Sequence, residues 1–230
     1  IAIPIFIFMG ITLEKSKIAE NLLYNMSVLF KNFKGGLGIS VIIVGALLAA
    51  STGIVGATVV TMGLLSLPSM LKQNYDVKVA TGTILASGTL GQIIPPSIVL
   101  ILLGDVISSS YQEAQNMLGI FSQESVSVGD LFAGAIIPGL ILVIFYIIYI
   151  VYLSYFRKDL IPDSDSETKF EFKDILLSLF APLMLIFTVL GTIILGIATP
   201  TEASSFGALG AVLLSFVNKK FEISILKETL

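Results

Sequence analysis

The chain has 230 residues, of which 55% are hydrophobic and only 13% are charged, and its formal net charge is −3. Soluble domains carry about 25% charged residues, so this composition excludes an ordinary soluble protein and is typical of a polytopic membrane protein. The chain has no cysteine and no histidine, which excludes disulfides and leaves few options for hydrolytic or redox catalysis. We therefore expect an all-α membrane protein that is not an enzyme and needs no cofactor.

The charged residues are segregated along the sequence. Residues 35–71, 79–104, 131–156 and 175–201 contain no Asp, Glu, Lys or Arg, and each stretch is longer than the roughly 20 apolar residues that cross a bilayer. Basic residues occur only at the edges of such stretches, and by the positive-inside tendency these edges are cytoplasmic. We therefore expect the lipid bilayer as a partner and no nucleic acid.

In chain order, residues 1–13 are predicted to be the end of a transmembrane helix and residues 14–35 an amphipathic arm. Residues 36–71 are too long for one crossing, have a small, polar midpoint and are basic at both flanks. We predict a re-entrant helical hairpin with its tip near the membrane midplane, and two complete short spans are the alternative. A broken transmembrane helix follows over residues 77–107.

The second half begins with residues 108–128, which lack Lys and Arg and are predicted to form a periplasmic loop. Residues 129–156 are predicted to form a transmembrane helix, and the polar residues 157–174 a cytoplasmic connector. Residues 175–217 are predicted to form two helices joined at a TPTEA turn, and residues 218–230 a polar segment. Because the chain begins inside an apolar segment, we expect a fragment of a longer protein.

The stretch GQIIPPS breaks the helix within the 77–107 segment. Pro95 and Pro96 remove two backbone donors and free carbonyl groups about one turn earlier. In hydrocarbon, such carbonyls are tolerated only where they are buried in protein or line a polar cavity. The groups that could then coordinate a cation are the carbonyl oxygens of Gly91, Gln92 and Ile94 and the hydroxyl of Ser97. The alternative is a proline kink that neighbouring helices satisfy.

The stretch STGIVGAT lies at the midpoint of the predicted hairpin. Ser51, Thr52 and Thr58 offer hydroxyl groups, and Gly53 permits close approach of the backbone. Small residues at helical spacing are also a usual packing surface between membrane helices. The stretch gains a functional interpretation only together with the break, because transporters place discontinuous helices and hairpin tips together at the midplane.

The stretch GIATPTEAS contains a third group of polar residues. Thr199 is predicted to cap a helix that has Pro200 at its first position and Glu202 in its first turn. Because Glu202 is ionisable and close to a long apolar run, a transport role for Thr199, Pro200, Thr201 and Glu202 is a further hypothesis.

Six motifs now occur in the order in which one family carries them: IPIFIFMG, AASTGIVGATVVTMG, LPSMLKQNYD, GTLGQIIPPS, LFAGAIIPGL and GIATPTEA. The chain resembles the large membrane subunit (DctM-type, M subunit) of tripartite ATP-independent periplasmic (TRAP) transporters. The resemblance implies an elevator-type secondary transporter with inverted repeats in the bacterial inner membrane. It also implies sodium-coupled symport of a small organic acid (a carboxylate) that a periplasmic binding protein delivers, and a small Q-type membrane subunit as a partner.

The resemblance maps the family's first sodium site onto this chain. The implied sodium ligands are Ser51 and Thr52 at the tip and the carbonyl groups of Gly91, Ile94 and Pro96 at the break. A substrate or gating role is implied for the neighbouring polar and hinge positions, which are Gly53, Gln92, Pro95, Ser97, Thr199, Pro200, Thr201 and Glu202.

This chain departs from the resemblance at the tip and in its extent. Many members carry a Ser-Gly-Ser-Ser tip, whereas this chain has Ile and Val after Gly53. Ile and Val supply no side-chain oxygen, so the ligand assignment at the tip is open by a residue or more. The family's second hairpin and second sodium site are expected outside this chain, which alone should not transport. The rival hypothesis is a membrane scaffold whose breaks serve packing and partner docking. An intramembrane enzyme is a third.

Overall fold

The computed structural model describes residues 2–16, 18–120, 124–161 and 172–217. In this part, the chain is helical and contains no β-strand, which confirms the predicted all-α class. The helices are α1 Ala2–Lys15, α2 Ile18–Leu29, α3 Gly36–Thr52, α4 Val55–Lys72, α5 Val77–Thr89, α6 Ile98–Met117, α7 Val128–Phe156, α8 Phe172–Ile194 and α9 Pro200–Val217. A short 3-10 turn, Leu90–Gln92, follows α5.

Helix α3 lies at the centre of the molecule. Most of its residues are buried, and it packs against α1, α2, α4, α5, α7 and α8. A helix that is apolar all round is expected at such a position. Gly45 allows close contact with α5, since a methyl group on Gly45 would lie 2.6 Å from Cβ of Ser87. This central position fixes where the end of α3, and therefore the hairpin tip, is placed.

The outer face of the molecule is apolar. Helices α4 and α7 are long and apolar enough to cross a membrane. Along α7, large side chains point outward, among them Phe145 with 60% and Phe156 with 73% of its surface exposed. A soluble protein rarely exposes so contiguous an apolar surface, so these side chains are placed as the sequence predicts for groups that face lipid.

The predicted arm is also amphipathic in the structure. Leu22, Leu23 and Met26 are buried on one side of α2, whereas Tyr24 is 62% exposed. The helix ends at Leu29, and turns lead from there to α3.

Helix α6 ends later than the charge pattern predicts. The helix runs to Met117, so residues 108–117 of the predicted periplasmic loop are helical. It ends in a Schellman motif, in which the N–H of Ile120 donates to the carbonyl of Gln115 at 3.0 Å. Gly119, with φ +71°, is the residue that stops the helix. Charge alone does not locate this helix end, because a left-handed glycine determines it.

The remaining boundaries are close to the predicted ones. Helix α8 begins at Phe172, inside the predicted connector, and α8 and α9 form the two predicted helices of residues 175–217. Residues 162–171 of the connector and the whole predicted segment 218–230 lie outside the described residues.

Tyr75 joins the α4–α5 turn to the start of α3. Its hydroxyl accepts a hydrogen bond from the N–H of Gly38 at 3.3 Å, which satisfies a donor that has no partner within the first turn of α3. Asp76 caps α5 by accepting from the N–H of Lys78 at 2.9 Å. Burial raises the pKa of Tyr75 to about 12.

Replacement of Tyr75 by phenylalanine should destabilise the fold without changing its shape. The buried N–H of Gly38 would lose its acceptor, which costs about 1–3 kcal/mol. Because the pKa of Tyr75 is raised, its neutral form adds to the free energy of unfolding of the wild type. This contribution is fully present below the unfolded tyrosine pKa of about 10 and is lost as the pH rises through about 12. In detergent, the unfolding temperature of the wild type should therefore be higher than that of Tyr75→Phe at pH 8, and the difference should shrink above pH 10. An equal stability at pH 8 would contradict the Gly38 contact.

Candidate functional site

The hairpin tip, residues 51–54, joins α3 to α4. Helix α3 ends at Thr52 and is capped by Gly53, which has φ +63° and whose N–H donates to the carbonyl of Ala49 at 3.0 Å. Ile54 is extended, and α4 begins at the next residue. The left-handed conformation of Gly53 is one that only glycine adopts without strain. A two-residue connection therefore turns the chain back, and Ser51 and Thr52 stay buried, with 2% and 4% of their surfaces exposed.

A chain of hydroxyl groups crosses the tip. The Oγ1 atoms of Thr52 and Thr58 are 2.8 Å apart, and Thr58 Oγ1 donates to the carbonyl of Ile54, also at 2.8 Å. Thr58 has a single hydroxyl proton. Because that proton goes to Ile54, Thr52 is the donor in the Thr52–Thr58 hydrogen bond. Thr52 Oγ1 consequently keeps its lone pairs for another partner, apart from a long 3.5 Å contact with the N–H of Ile54.

Ser51 is oriented in a similar way. Its hydroxyl donates to the carbonyl of Leu48 at 2.8 Å, within its own helix. The hydroxyl proton is therefore used, and the oxygen can only accept hydrogen bonds or coordinate a cation through its lone pairs. Ser51 and Thr52 together place two acceptor oxygens at the buried end of α3.

The helix break, residues 90–97, separates α5 from α6. Helix α5 ends at Thr89, and the N–H of Ile94 donates to the carbonyl of Leu90 at 2.7 Å. The peptide bond between Pro95 and Pro96 is cis. Helix α6 begins after Ser97, whose hydroxyl accepts from the N–H of Leu100 at 3.3 Å.

Ser97 has a capping role that the sequence analysis did not assign to it. Its hydroxyl donates to the carbonyl of Gln92 at 2.9 Å while capping α6. The Ser97 side chain therefore holds the two sides of the break together.

Several carbonyl groups of the break have no donor. Within the described residues, no hydrogen bond is made to the carbonyl oxygens of Gly91, Ile94 and Pro96. Of these three residues, Gly91 and Pro96 are buried and Ile94 is half-buried. Buried carbonyls without a donor are costly in an apolar setting, so a cation or water is their natural partner.

The tip and the break meet directly. Gln92 donates from Nε2 to the carbonyl of Gly53 at 3.3 Å. A methyl group on Gly53 would lie 3.0 Å from the carbonyl oxygen of Pro96, and one on Gly91 would lie 3.3 Å from Cα of Ala49. The structure thus brings Gly53 of the tip together with Gln92 and Pro96 of the break. The region where they meet is rich in neutral oxygens, and no cluster of three or more His, Cys, Asp or Glu occurs among the described residues.

Two glycines from other helices also border this region. A methyl group on Gly10 of α1 would lie 2.9 Å from Cα of Thr52, and one on Gly139 of α7 would lie 2.9 Å from Cγ1 of Ile94. The sequence analysis did not single out either residue. The signal that could have found Gly139 is its place next to Pro138 in an otherwise bulky apolar helix.

The TPTEA residues do not join this site. Thr199 and Glu202 form a capping box, in which Thr199 donates from N and from Oγ1 to Glu202 Oε2, both at 2.8 Å. Pro200 is the first residue of α9, as predicted. Glu202 is exposed, and within the described part of the chain no hydrogen bond links Thr199, Pro200, Thr201 or Glu202 to the tip or the break.

Four helix ends converge where the tip meets the break. The carboxyl ends of α3 and of the 3-10 turn after α5 carry partial negative charge, and the amino ends of α4 and α6 carry partial positive charge. The two carboxyl ends favour a cation, and the two amino ends favour an anion. No side chain caps the amino end of α4, so its first N–H groups remain available to a ligand.

Comparison with known proteins identifies one family over the whole chain. The family described as "Tripartite ATP-independent periplasmic transporter, DctM component" matches residues 1–230. The C4-dicarboxylate TRAP transporter large permease protein DctM of Rhodobacter capsulatus is 34% identical over 219 residues, which cover 95% of this chain and 49% of that protein.

Two further relatives carry other substrate names. The ectoine TRAP transporter large permease protein TeaC of Halomonas elongata is 32% identical, over 94% of this chain and 46% of that protein. The isethionate TRAP transporter permease protein DctMQ of Oleidesulfovibrio alaskensis is 29% identical, over 95% of this chain and 32% of that protein. The chain therefore spans half or less of the length of these relatives.

Proposed function

Because this chain belongs to the family of the DctM component of tripartite ATP-independent periplasmic transporters, we propose that it forms part of a sodium-coupled symporter for a small organic acid. The chain supplies one half of the ion and substrate site of a large permease subunit. The coupling ion is bound by neutral oxygens, and no covalent step is involved.

The direct contact between tip and break carries this proposal. Gln92 binds the carbonyl of Gly53, and the Pro96 carbonyl lies against the same glycine. Sodium prefers oxygen ligands, and discontinuous transporter helices coordinate it through unwound carbonyls and carboxyl ends of half-helices. The ligands in this proposal are the hydroxyl oxygens of Ser51 and Thr52 and the carbonyl oxygens of Gly91, Ile94 and Pro96.

The same arrangement supports a binding place for an acidic substrate. The amino ends of α4 and α6 reach the tip and the break, and such ends favour carboxylates. Gly53, Gln92, Pro95 and Ser97 are the positions that we assign to substrate contact or gating. Thr199, Pro200, Thr201 and Glu202 would act only after a movement that brings α9 to the site.

The hairpin is proposed to enter and leave the bilayer on one side, with the tip inside it. Lys34 precedes α3 and Lys72 ends α4, so both flanks are basic. Ser51, Thr52 and Gly53 of the tip are small and buried by their own chain, whereas a connection between two complete spans would face water. Movement of the hairpin relative to a fixed scaffold, in a bacterial inner membrane, completes the elevator hypothesis.

Uptake into proteoliposomes tests this proposal. The complete large subunit should be reconstituted with its small Q-type partner and supplied with the cognate periplasmic binding protein. Sodium and potassium gradients of equal size should be compared, with C4-dicarboxylates, ectoine and isethionate as labelled substrates because relatives bear those names. We expect uptake of one acid that requires both sodium and the binding protein.

The two cation gradients make the outcome decisive. Uptake that is equal in sodium and potassium would remove the ion site and leave the break as a packing feature. Uptake without the binding protein would contradict the tripartite arrangement. A chain that only docked partners would give no cation dependence with any substrate.

A further inference from the structure

Gln92 is the one side chain that bridges the tip and the break by a hydrogen bond within the described residues. Its Nε2 donates to the carbonyl of Gly53, and the two residues are 39 positions apart in the sequence. The amide orientation follows from chemistry, since only the NH₂ group can donate to a carbonyl oxygen. The Oε1 atom must therefore point away from Gly53.

That Oε1 atom is buried and has no hydrogen-bond partner among the described residues. The residues that shield it belong to this chain, so a donor from another subunit would need to displace them to reach it. A buried amide oxygen without a partner costs about 1–3 kcal/mol, and water or a cation bound beside it would remove this cost. Among the described residues, the carbonyls of the break that lack donors include those of Gly91, directly before Gln92, and of Ile94 and Pro96, shortly after it.

We propose that Gln92 is a positioning residue that couples occupation of the ion site to closure of the hairpin tip. The ion, or a water bound to it, orients Oε1, and this fixes the amide so that Nε2 holds the Gly53 carbonyl against the break. Ser97 also holds the backbone of Gln92 in place, because its hydroxyl donates to the Gln92 carbonyl at 2.9 Å. This inference rests on the proposed sodium symport and assigns the link between ion and tip to one side chain.

Two substitutions separate the parts of this role. Gln92→Leu removes both the donor and the oxygen. Gln92→Glu keeps an oxygen of equal reach but places a carboxylate, which cannot donate when ionised, against the Gly53 carbonyl. A residue that acted only as an oxygen ligand would bind sodium as well or better as glutamate. A positioning residue fails in both variants.

Gln115 provides a matched control. It is a buried glutamine at the end of α6 whose Nε2 donates to the carbonyl of Glu124 at 2.8 Å. Gln115→Leu therefore removes a comparable bridge to a loop that is not part of the tip or the break. Its effect on thermal stability in potassium shows what the loss of a glutamine bridge costs by itself.

Sodium-dependent uptake and sodium-dependent thermal stabilisation should be measured for the complete transporter carrying each substitution. We expect the sodium concentration for half-maximal effect to rise about tenfold in Gln92→Leu and Gln92→Glu, as for other residues that orient ligands, and to stay unchanged in Gln115→Leu. An unchanged half-saturation in either Gln92 variant would overturn the proposal. Where Gln92→Leu does not fold, Gln92→Asn, which has too short a reach for Gly53, should show the same direction, and no shift there would also overturn it.

Wild-type behaviour distinguishes this inference from the function on which it rests. If the wild type shows no difference between sodium and potassium, the proposed symport fails, and this inference fails with it. If the wild type depends on sodium and the Gln92 variants respond to sodium as the wild type does, only the positioning role fails. The stabilisation assay gives this answer without any substrate.

Discussion

Replacement of Thr52 by valine is expected to raise the sodium concentration for half-maximal transport by about tenfold or more. Valine has the shape of threonine but lacks the oxygen, so packing at the buried tip is retained while one ligand is lost. The hydrogen bonds of the tip identify this oxygen as free to bind an ion, since Thr52 donates its proton to Thr58. The transport rate at saturating sodium should change by a smaller factor than the sodium concentration for half-maximal transport does.

Three related substitutions make this expectation specific. Thr52→Ser keeps the hydroxyl and should restore a sodium response close to that of the wild type. Thr58→Val removes the acceptor of the Thr52 proton but no proposed ligand, so it should shift half-saturation less than Thr52→Val. Thr188→Val is the matched control, because its exposed hydroxyl only donates within α8, to the carbonyl of Met184 at 2.7 Å. An equal shift in Thr52→Val and Thr58→Val would mean that packing, not ligation, carries the effect.

Much of the local structure of the site could be predicted from the sequence. Proline lacks a backbone N–H, so Pro95 and Pro96 predict a break wherever they lie in a helix. Thr199 and Glu202 have the spacing of a capping box, and the structure confirms it. These features are decided within a few residues, by missing donors or by side chains that replace them, and no tertiary contact is needed to predict them.

The long-range contacts of the site could not be predicted in this way. The hydrogen bond between Gln92 and Gly53 depends on how α3 packs beside α5, and glycine is equally compatible with many other partners. The closeness of Gly10 to Thr52 and of Gly139 to Ile94 has the same origin. Single-residue properties do not encode which helices become neighbours, because that choice is made by the fit of whole helix surfaces.

Ser97 is a residue that the sequence indicates as part of the site, although its role in the structure differs from the predicted one. Its place beside the freed carbonyls of the break predicts a hydroxyl that helps to coordinate a cation. In the structure it caps α6 and donates to the Gln92 carbonyl. A serine before a new helix is a common N-cap, so the capping interpretation could have been drawn from the sequence. The site then depends on Ser97 for the shape of the break, and a lone pair of its oxygen remains for a ligand.

Replacement of Gly53 by alanine is expected to have a large effect on the candidate site. The residue has φ +63°, a conformation that costs a non-glycine residue about 1–2 kcal/mol. The added methyl group would also lie 3.0 Å from the Pro96 carbonyl oxygen. Both effects push the tip away from the break, so sodium half-saturation should rise and the transport rate should fall by about tenfold, the factor to which 1.4 kcal/mol corresponds.

Gly63 of α4 supplies the comparison that gives this result its meaning. A methyl group there meets no atom within 4 Å, and alanine is favoured over glycine inside a helix by about 0.5–1 kcal/mol. Gly63→Ala should therefore transport as the wild type does and unfold at the same or a higher temperature. Sodium titrations of uptake and thermal unfolding with and without sodium distinguish the two variants. If Gly53→Ala matched Gly63→Ala in both assays, the tip would not need its left-handed turn, and the contact with Pro96 could not be what completes the ion site.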